Sequence, residues 1–234
     1  MENRIDFKLM KRILECEACR KFKYVNLKKY PPICCFGEPL GKKAFVIGIN
    51  PSRREYEPKE YVKKDRKYAL KSQLQYFKKK PYGFFDEIAR FFNDSEIGEK
   101  FGAGTVWDRV AILDLVKCVT IVGKDEQWNG LKTSEKNTII GNCQHFLIEQ
   151  LSPYRPELII AYGKDVGMWF KSNKDPTYEE EFNFIANPRK LAFSYQLIYV
   201  PQRQGKHSRP EVNEVKAKIK EAILRARLRG GLND

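Results

Sequence analysis

The sequence predicts an α/β protein, a three-layer α/β/α sandwich around a central four-stranded, mainly parallel sheet. Three observations carry this. Four short runs rich in β-branched and aliphatic residues recur along the chain: AFVIGI (44–49), VAILDLV (110–116), ELIIAYG (157–163) and QLIYVP (196–201). Each is apolar on both parities, as strands covered on both faces of a parallel sheet are. Helical periodicity separates the runs, and such alternation places helices on both sides of one sheet.

In chain order, MENRIDFKLMKRILE reads as a basic helix. It carries charges throughout, unlike a signal peptide. After the first strand, a helix over about 60–78 places Ala69, Leu70, Leu74 and Phe77 on one face, and FFDEIARFF (84–92) forms another. The second strand is followed by a helix over about 134–151, where Ile139, Ile140, Cys143, Phe146, Leu147 and Gln150 recur at helical spacing. Past the last two strands, Ser208-Arg209-Pro210-Glu211 has the pattern of a capping box. There a serine accepts from a free helix-start amide while the glutamate reaches back. Val212, Val215, Ile219, Ala222 and Ile223 then form an apolar stripe. No repeat, low-complexity linker or boundary interrupts the chain, so residues 1–234 are expected to form a single domain.

Lys and Arg exceed Asp and Glu by 44 − 30 = 14, a net charge of +14. Such an excess attracts polyanions: nucleic acid first, an anionic membrane surface second. No apolar run approaches the ~20 residues of a spanning helix, and a cytoplasmic monomer is expected. The reducing cytosol argues against structural disulfides among the six cysteines. They are arranged as Cys16-x-x-Cys19, the adjacent Cys34-Cys35, and the single Cys118 and Cys143. A Cys-x-x-Cys pair with two distant cysteines can close one tetrahedral or cubane site. Cys118 and Cys143 taken singly read equally well as small buried hydrophobes. That alternative suits Cys16 and Cys19 less, because Glu, Arg and Lys surround them.

In open sheets of this kind, ligands bind outside the carboxyl ends of the strands. Four loops therefore matter: GINPSRR, the stretch from Asp114 to Thr120, YGKD, and VPQRQGKHSRP. Lys117 adds a cation to the second loop. GINPS alone reads as readily as a turn, since Gly, Asn, Pro and Ser all punctuate chains. Its functional reading makes Asn50 a neutral amide holding a water, beside free amides that face an anion.

VKC, then a second cysteine in C-x-x-F-L-x-x-Q-L, then P-E-L-I-I-A-Y-G, resembles the iron–sulfur branch of the uracil-DNA glycosylase superfamily. The resemblance runs from about residue 13 to residue 224. It implies a 4Fe–4S cluster held by Cys16, Cys19, Cys118 and Cys143. Zinc is the less favoured occupant, and Cys34 or Cys35 can stand in for a ligand. The first motif departs from the G-E-A-P-G of that branch. Gly48-Ile49-Asn50-Pro51 is instead similar to the G-I-N-P of mismatch-specific uracil and thymine glycosylases, whose asparagine positions the hydrolytic water. Val200-Pro201-Gln202 stands where H-P-S is usual, and the mismatch enzymes also lack that histidine.

The resemblance implies excision of a deaminated or mismatched base from DNA by hydrolysis of its N-glycosidic bond. Asn50 and Asp114 are the implied catalytic residues. Gly48, Ile49, Tyr82, Asp114 and Gln202 are the implied base-binding residues, with Phe84 or Phe85 able to stack in place of Tyr82. Ser52, Arg53, Arg54, Arg203, Lys206, His207 and Arg209 would contact phosphates. Asp114 occupies the place of an asparagine that reads uracil. An ionised carboxylate only accepts hydrogen bonds and repels uracil O4, whereas a protonated one regains a donor. Asp114 also reads as an ordinary strand-end cap, and all three aromatics as core. The alternative function is a non-catalytic binder of damaged or deaminated DNA on the same fold. A third is an RNA- or nucleotide-binding α/β protein whose GINPS loop holds phosphate.

Overall fold

The computed structural model describes residues 6–52, 66–78, 83–101, 104–121, 128–172, 183–186, 195–200 and 212–230. Its sheet has five strands in the order β2-β1-β3-β5-β4. They are β1 (Ala44–Gly48), β2 (Val110–Asp114), β3 (Leu158–Tyr162), β4 (Asn183–Ala186) and β5 (Tyr195–Val200). The four strands read from the sequence are β1, β2, β3 and β5, and they pair in parallel. β4 is an addition, antiparallel to β5 at the sheet's edge.

Strand residues alternate between two cores, which explains why each run is apolar on both parities. Ala44, Val46, Val110, Ile112, Leu158, Ile160, Ile198 and Val200 face one side. There they meet α3 (Gly83–Phe92), α4 (Ser95–Phe101) and α8 (Val212–Gly230). Phe45, Ile47, Ala111, Leu113, Ile159, Ala161 and Leu197 face the other side. That side is covered by α1 (Phe7–Leu14), α6 (Thr133–Tyr154) and α7 (Lys164–Ser172). A one-residue slip in any strand would exchange its two faces, so both cores fix the register. The helix expected over 60–78 is seen as α2 (Arg66–Leu74) and a 3-10 turn at Tyr76–Lys78. The short α5 (Val106–Arg109) leads into β2. The capping box at Ser208 to Glu211 lies outside the described residues. Among the described residues no helix is long and apolar enough to cross a membrane.

The free edge of β2 is covered by residues 33–36. Phe36 N donates to Ile112 O at 2.9 Å, and Ile33 N to Lys117 O at 2.8 Å. Two buried glutamines hold this segment. Gln73 accepts from Cys34 N at 2.8 Å and donates to Pro32 O at 3.3 Å. Gln150 Nε2 donates to Cys34 O at 2.8 Å. The extended backbone there has no full ladder, so these amides replace one. Gln73→Ala leaves a buried N–H and a buried carbonyl without their partner. It is expected to lower stability by roughly 1–3 kcal/mol in urea unfolding, whereas an exposed-site control changes it by less than about 0.5 kcal/mol.

Candidate active site at the strand ends

The carboxyl ends of the parallel strands lie level. Gly48 is in register with Asp114, and Tyr162 with Val200. Pairing of the first two strands continues beyond the strands themselves, with Leu115 N on Gly48 O at 2.9 Å and Val116 N on Ile49 O at 2.8 Å. Asp114 and the GINP loop are thereby locked side by side.

Asp114 is only 6% exposed, and its Oδ2 has no hydrogen-bond partner among the described residues. Its other oxygen leans over the neighbouring strand: a Cβ on Gly48 would stand 2.5 Å from Asp114 Oδ1. Gly48, expected as a base contact, thus has a different observed reason to be glycine. Burial pushes the Asp114 carboxyl up to about 7, with nearby Lys117 opposing the rise. At and below neutrality the acid form therefore holds an O–H donor, which an ionised aspartate lacks.

Asn50 is half-buried, two residues beyond Gly48 in the same loop. Its Nδ2 donates to Pro51 O at 3.1 Å and to Thr120 Oγ1 at 3.4 Å. A carbonyl oxygen can only accept, so these contacts fix the amide's orientation with nitrogen inward. Oδ1 is then the acceptor left for another molecule. Thr120, fully buried, was not singled out in the sequence. Ile49 packs between two apolar clusters. Ser52 is half-buried beside Pro51.

Lys117, read from the sequence as a cation of the active face, is instead 1% exposed. Its ammonium turns back to donate to the backbone carbonyl of Asp114. Burial lowers its pKa, while Asp114, Cys143, Cys34 and Cys35 oppose the fall. Of the candidate stacking rings, Phe85 is fully buried core. Phe84 is half-buried, its ring 5.3 Å from Tyr162 at 89°, near the end of β3. Tyr82, Arg53, Arg54, Gln202, Arg203, Lys206, His207 and Arg209 lie outside the described residues.

Three of the four cysteines named as ligands converge. Cys19, Cys118 and Cys143 share one buried cluster with Val116, Trp128 and Ile139. Hydrogen bonds from Cys118, then Cys143, hold Cys19 well below the usual thiol range, and the Cys118 thiol is pushed up. Asn142 Nδ2 adds a contact to Cys19 Sγ at 3.7 Å. Cys16 lies past the end of α1, half-buried, its thiol raised by burial. Among the described residues no group of three or more His, Cys, Asp or Glu side chains forms a ready metal-ion site. Cys34 and Cys35 belong to the other cluster, under α1 and α6, where Cys34 Sγ donates to Met10 O at 3.3 Å.

Two outcomes are expected. Between about pH 4 and about pH 7 the unfolded Asp114 has lost its proton while the folded one keeps it, so stability falls as pH rises through that window. Asp114→Asn should remove this slope, worth at most roughly 4 kcal/mol, in denaturation followed against pH. Gly48→Ala should fold but push the carboxyl away, which a crystal structure of the variant would show directly.

The model of the Uracil DNA glycosylase superfamily matches residues 35–219. The match takes in Gly48, Asn50, Asp114, Cys118 and Cys143, while Cys16 and Cys19 precede it. A search of curated proteins returns no match. With more than half its length matched, the chain belongs to the uracil-DNA glycosylase superfamily.

Proposed function

We propose that the protein is a DNA glycosylase that hydrolyses the N-glycosidic bond of a deaminated or mismatched base. The observation that carries this is the junction of β1 and β2, which sets the GINP loop bearing Asn50 alongside the Asp114 strand end. The target nucleotide would be extruded from the duplex, because its reacting carbon is inaccessible inside the stack. As the C1′–N bond lengthens, positive charge builds on the sugar and negative charge on the departing base. Asn50 Oδ1 would accept a hydrogen from water and aim its oxygen at C1′. The new C1′–O bond replaces the C1′–N bond, and the water's proton leaves with the base or to solvent. An amide is a poor base, but little basicity is needed once an oxocarbenium ion has formed.

Asp114 would read the base. A neutral carboxyl donates to one carbonyl oxygen and accepts from the adjacent ring N–H, which matches the lactam edge of uracil or hypoxanthine. Thr120 is the positioning residue behind Asn50. Arg53, Arg54, Arg203, Lys206 and Arg209 would hold phosphates, giving affinity that falls steeply with salt.

Cys19, Cys118 and Cys143 offer soft sulfur donors in one buried cluster, and Cys16 is the fourth donor of the proposed set. A 4Fe–4S cluster bound there would brace the fold rather than take part in hydrolysis. It would tie the N-terminal segment to the end of β2 and to α6.

A panel of duplexes containing uracil, G·T, hypoxanthine, xanthine and oxidised pyrimidines tests the assignment. Abasic product is expected from at least one duplex, falling by about a hundredfold or more in Asn50→Ala. Tight binding without product on every duplex would favour a non-catalytic binder, the reading that an ionised Asp114 would support. For a lactam base the rate should fall as pH rises through about 7, since the donor form of Asp114 exists only below it. Asp114→Asn should keep its rate across that range. Purified anaerobically, the protein should absorb visible light and bleach with dithionite; a colourless, zinc-containing protein would contradict the iron–sulfur assignment.

A further inference from the structure

A cavity opens beside the strand ends, on the side of the sheet covered by α6 and α7. Its volume is about 760 Å³, within the roughly 300–1,000 Å³ of small-molecule sites. Ile49, the residue before Asn50 in the chain, lines it. Among the described residues, its charged lining is Lys136, Lys164 and Asp165, a balance of 2 − 1 = +1. The Asp165 carboxylate is already engaged. Asp165 Oδ2 accepts from Trp128 Nε1 at 2.5 Å and from Lys136 Nζ at 3.3 Å. Lys164 is exposed, and among the described residues it makes no ion pair. Asn129 and Asn137 add amide donors to the walls.

A glycine in the lining separates a built groove from an accidental one. Gly141 sits in the interior of α6, where glycine costs about 1 kcal/mol relative to alanine. Other helical glycines have an internal reason: a Cβ at Gly167 would stand 2.6 Å from the Tyr199 ring. Among the described residues, a Cβ at Gly141 would meet nothing within 4 Å. No packing contact among the described residues demands that glycine, and it forms part of the cavity wall.

We propose that this groove binds a nucleotide through its phosphate, next to but separate from the Asn50–Asp114 site. Lys164 would supply the uncompensated charge, Lys136 and the asparagines the remaining donors, and Gly141 the room. The phosphate can come from a free mononucleotide or from a nucleotide in a DNA strand. Only the second source rests on the glycosylase reading.

Isothermal titration calorimetry with undamaged ligands tests the groove without reference to excision. The probes are thymidine, inorganic phosphate, thymidine 5′-monophosphate and a single-stranded oligothymidylate, each titrated into wild type, Gly141→Leu and Lys164→Glu. Gly141→Leu should melt at or above the wild-type temperature and bind the monophosphate or the oligonucleotide at least about tenfold more weakly, a loss of about 1.4 kcal/mol. Lys164→Glu, an exposed change, should weaken the same ligands and serves if the leucine variant misfolds. Binding of the monophosphate identifies a free nucleotide as source; binding of the oligonucleotide alone identifies a strand. Thymidine binding as tightly as its monophosphate, equal affinities in all three proteins, or no binding to wild type would overturn the proposal. Because only undamaged ligands are used and only heat is read, failure here leaves the excision assignment intact. Loss of excision would likewise leave the groove.

Discussion

The contact on which the strand-end site depends is the Asp114 carboxyl lying across Gly48. The two residues are paired in register at the ends of neighbouring parallel strands, so the side chain of one must pass over the backbone of the other. Only glycine leaves room, since a Cβ would stand 2.5 Å from the carboxyl oxygen. Burial removes water from the acid, and its Oδ2 has no partner among the described residues, so the proton is retained up to about 7. A carboxyl on a solvated loop would ionise near its ordinary value and lose the donor that a lactam edge requires.

The stretch from Asp114 to Thr120 concentrates several tasks in seven residues. Asp114 presents the carboxyl, Lys117 turns inward to its backbone carbonyl, Cys118 joins the sulfur cluster, and Thr120 orients Asn50. The proposed chemistry of the site and the proposed brace of the fold are therefore adjacent along one chain segment. Burying an ammonium costs several kcal/mol without compensation. Lys117 is tolerated because a carbonyl accepts from it and a carboxyl and thiols surround it.

The architecture was readable because its cause is local: strands buried on both faces must be apolar at nearly every position, and four runs are. β4 was not readable, since NFIA is short and lies at an edge, where only one neighbour constrains it. Asn50 and Asp114 were readable as strand-end polar residues. Thr120 was not, because a threonine two residues past a cysteine has no signature until the fold brings it to Asn50. Lys117 was misplaced for a related reason: a lysine in a loop reads as solvated, and its burial comes from segment 33–36 closing over β2. Gln150 did carry a signal, as the one polar residue in the apolar stripe of α6, but its partner at Cys34 is 116 positions away. The cysteine frame was visible as spacing, and the fold gathers three of its members while assigning Cys34 and Cys35 to another core.

The proposed reading of the base turns on the charge of one buried acid. Isotope-edited infrared spectroscopy of the folded protein, compared with Asp114→Asn to assign the band, measures it directly from about pH 5 to about pH 9. The protonated carboxyl stretch should be present at the acid end and disappear through about 7. An Asp114 that is already ionised at about pH 5, in the ordinary range of a solvated aspartate, would contradict the account.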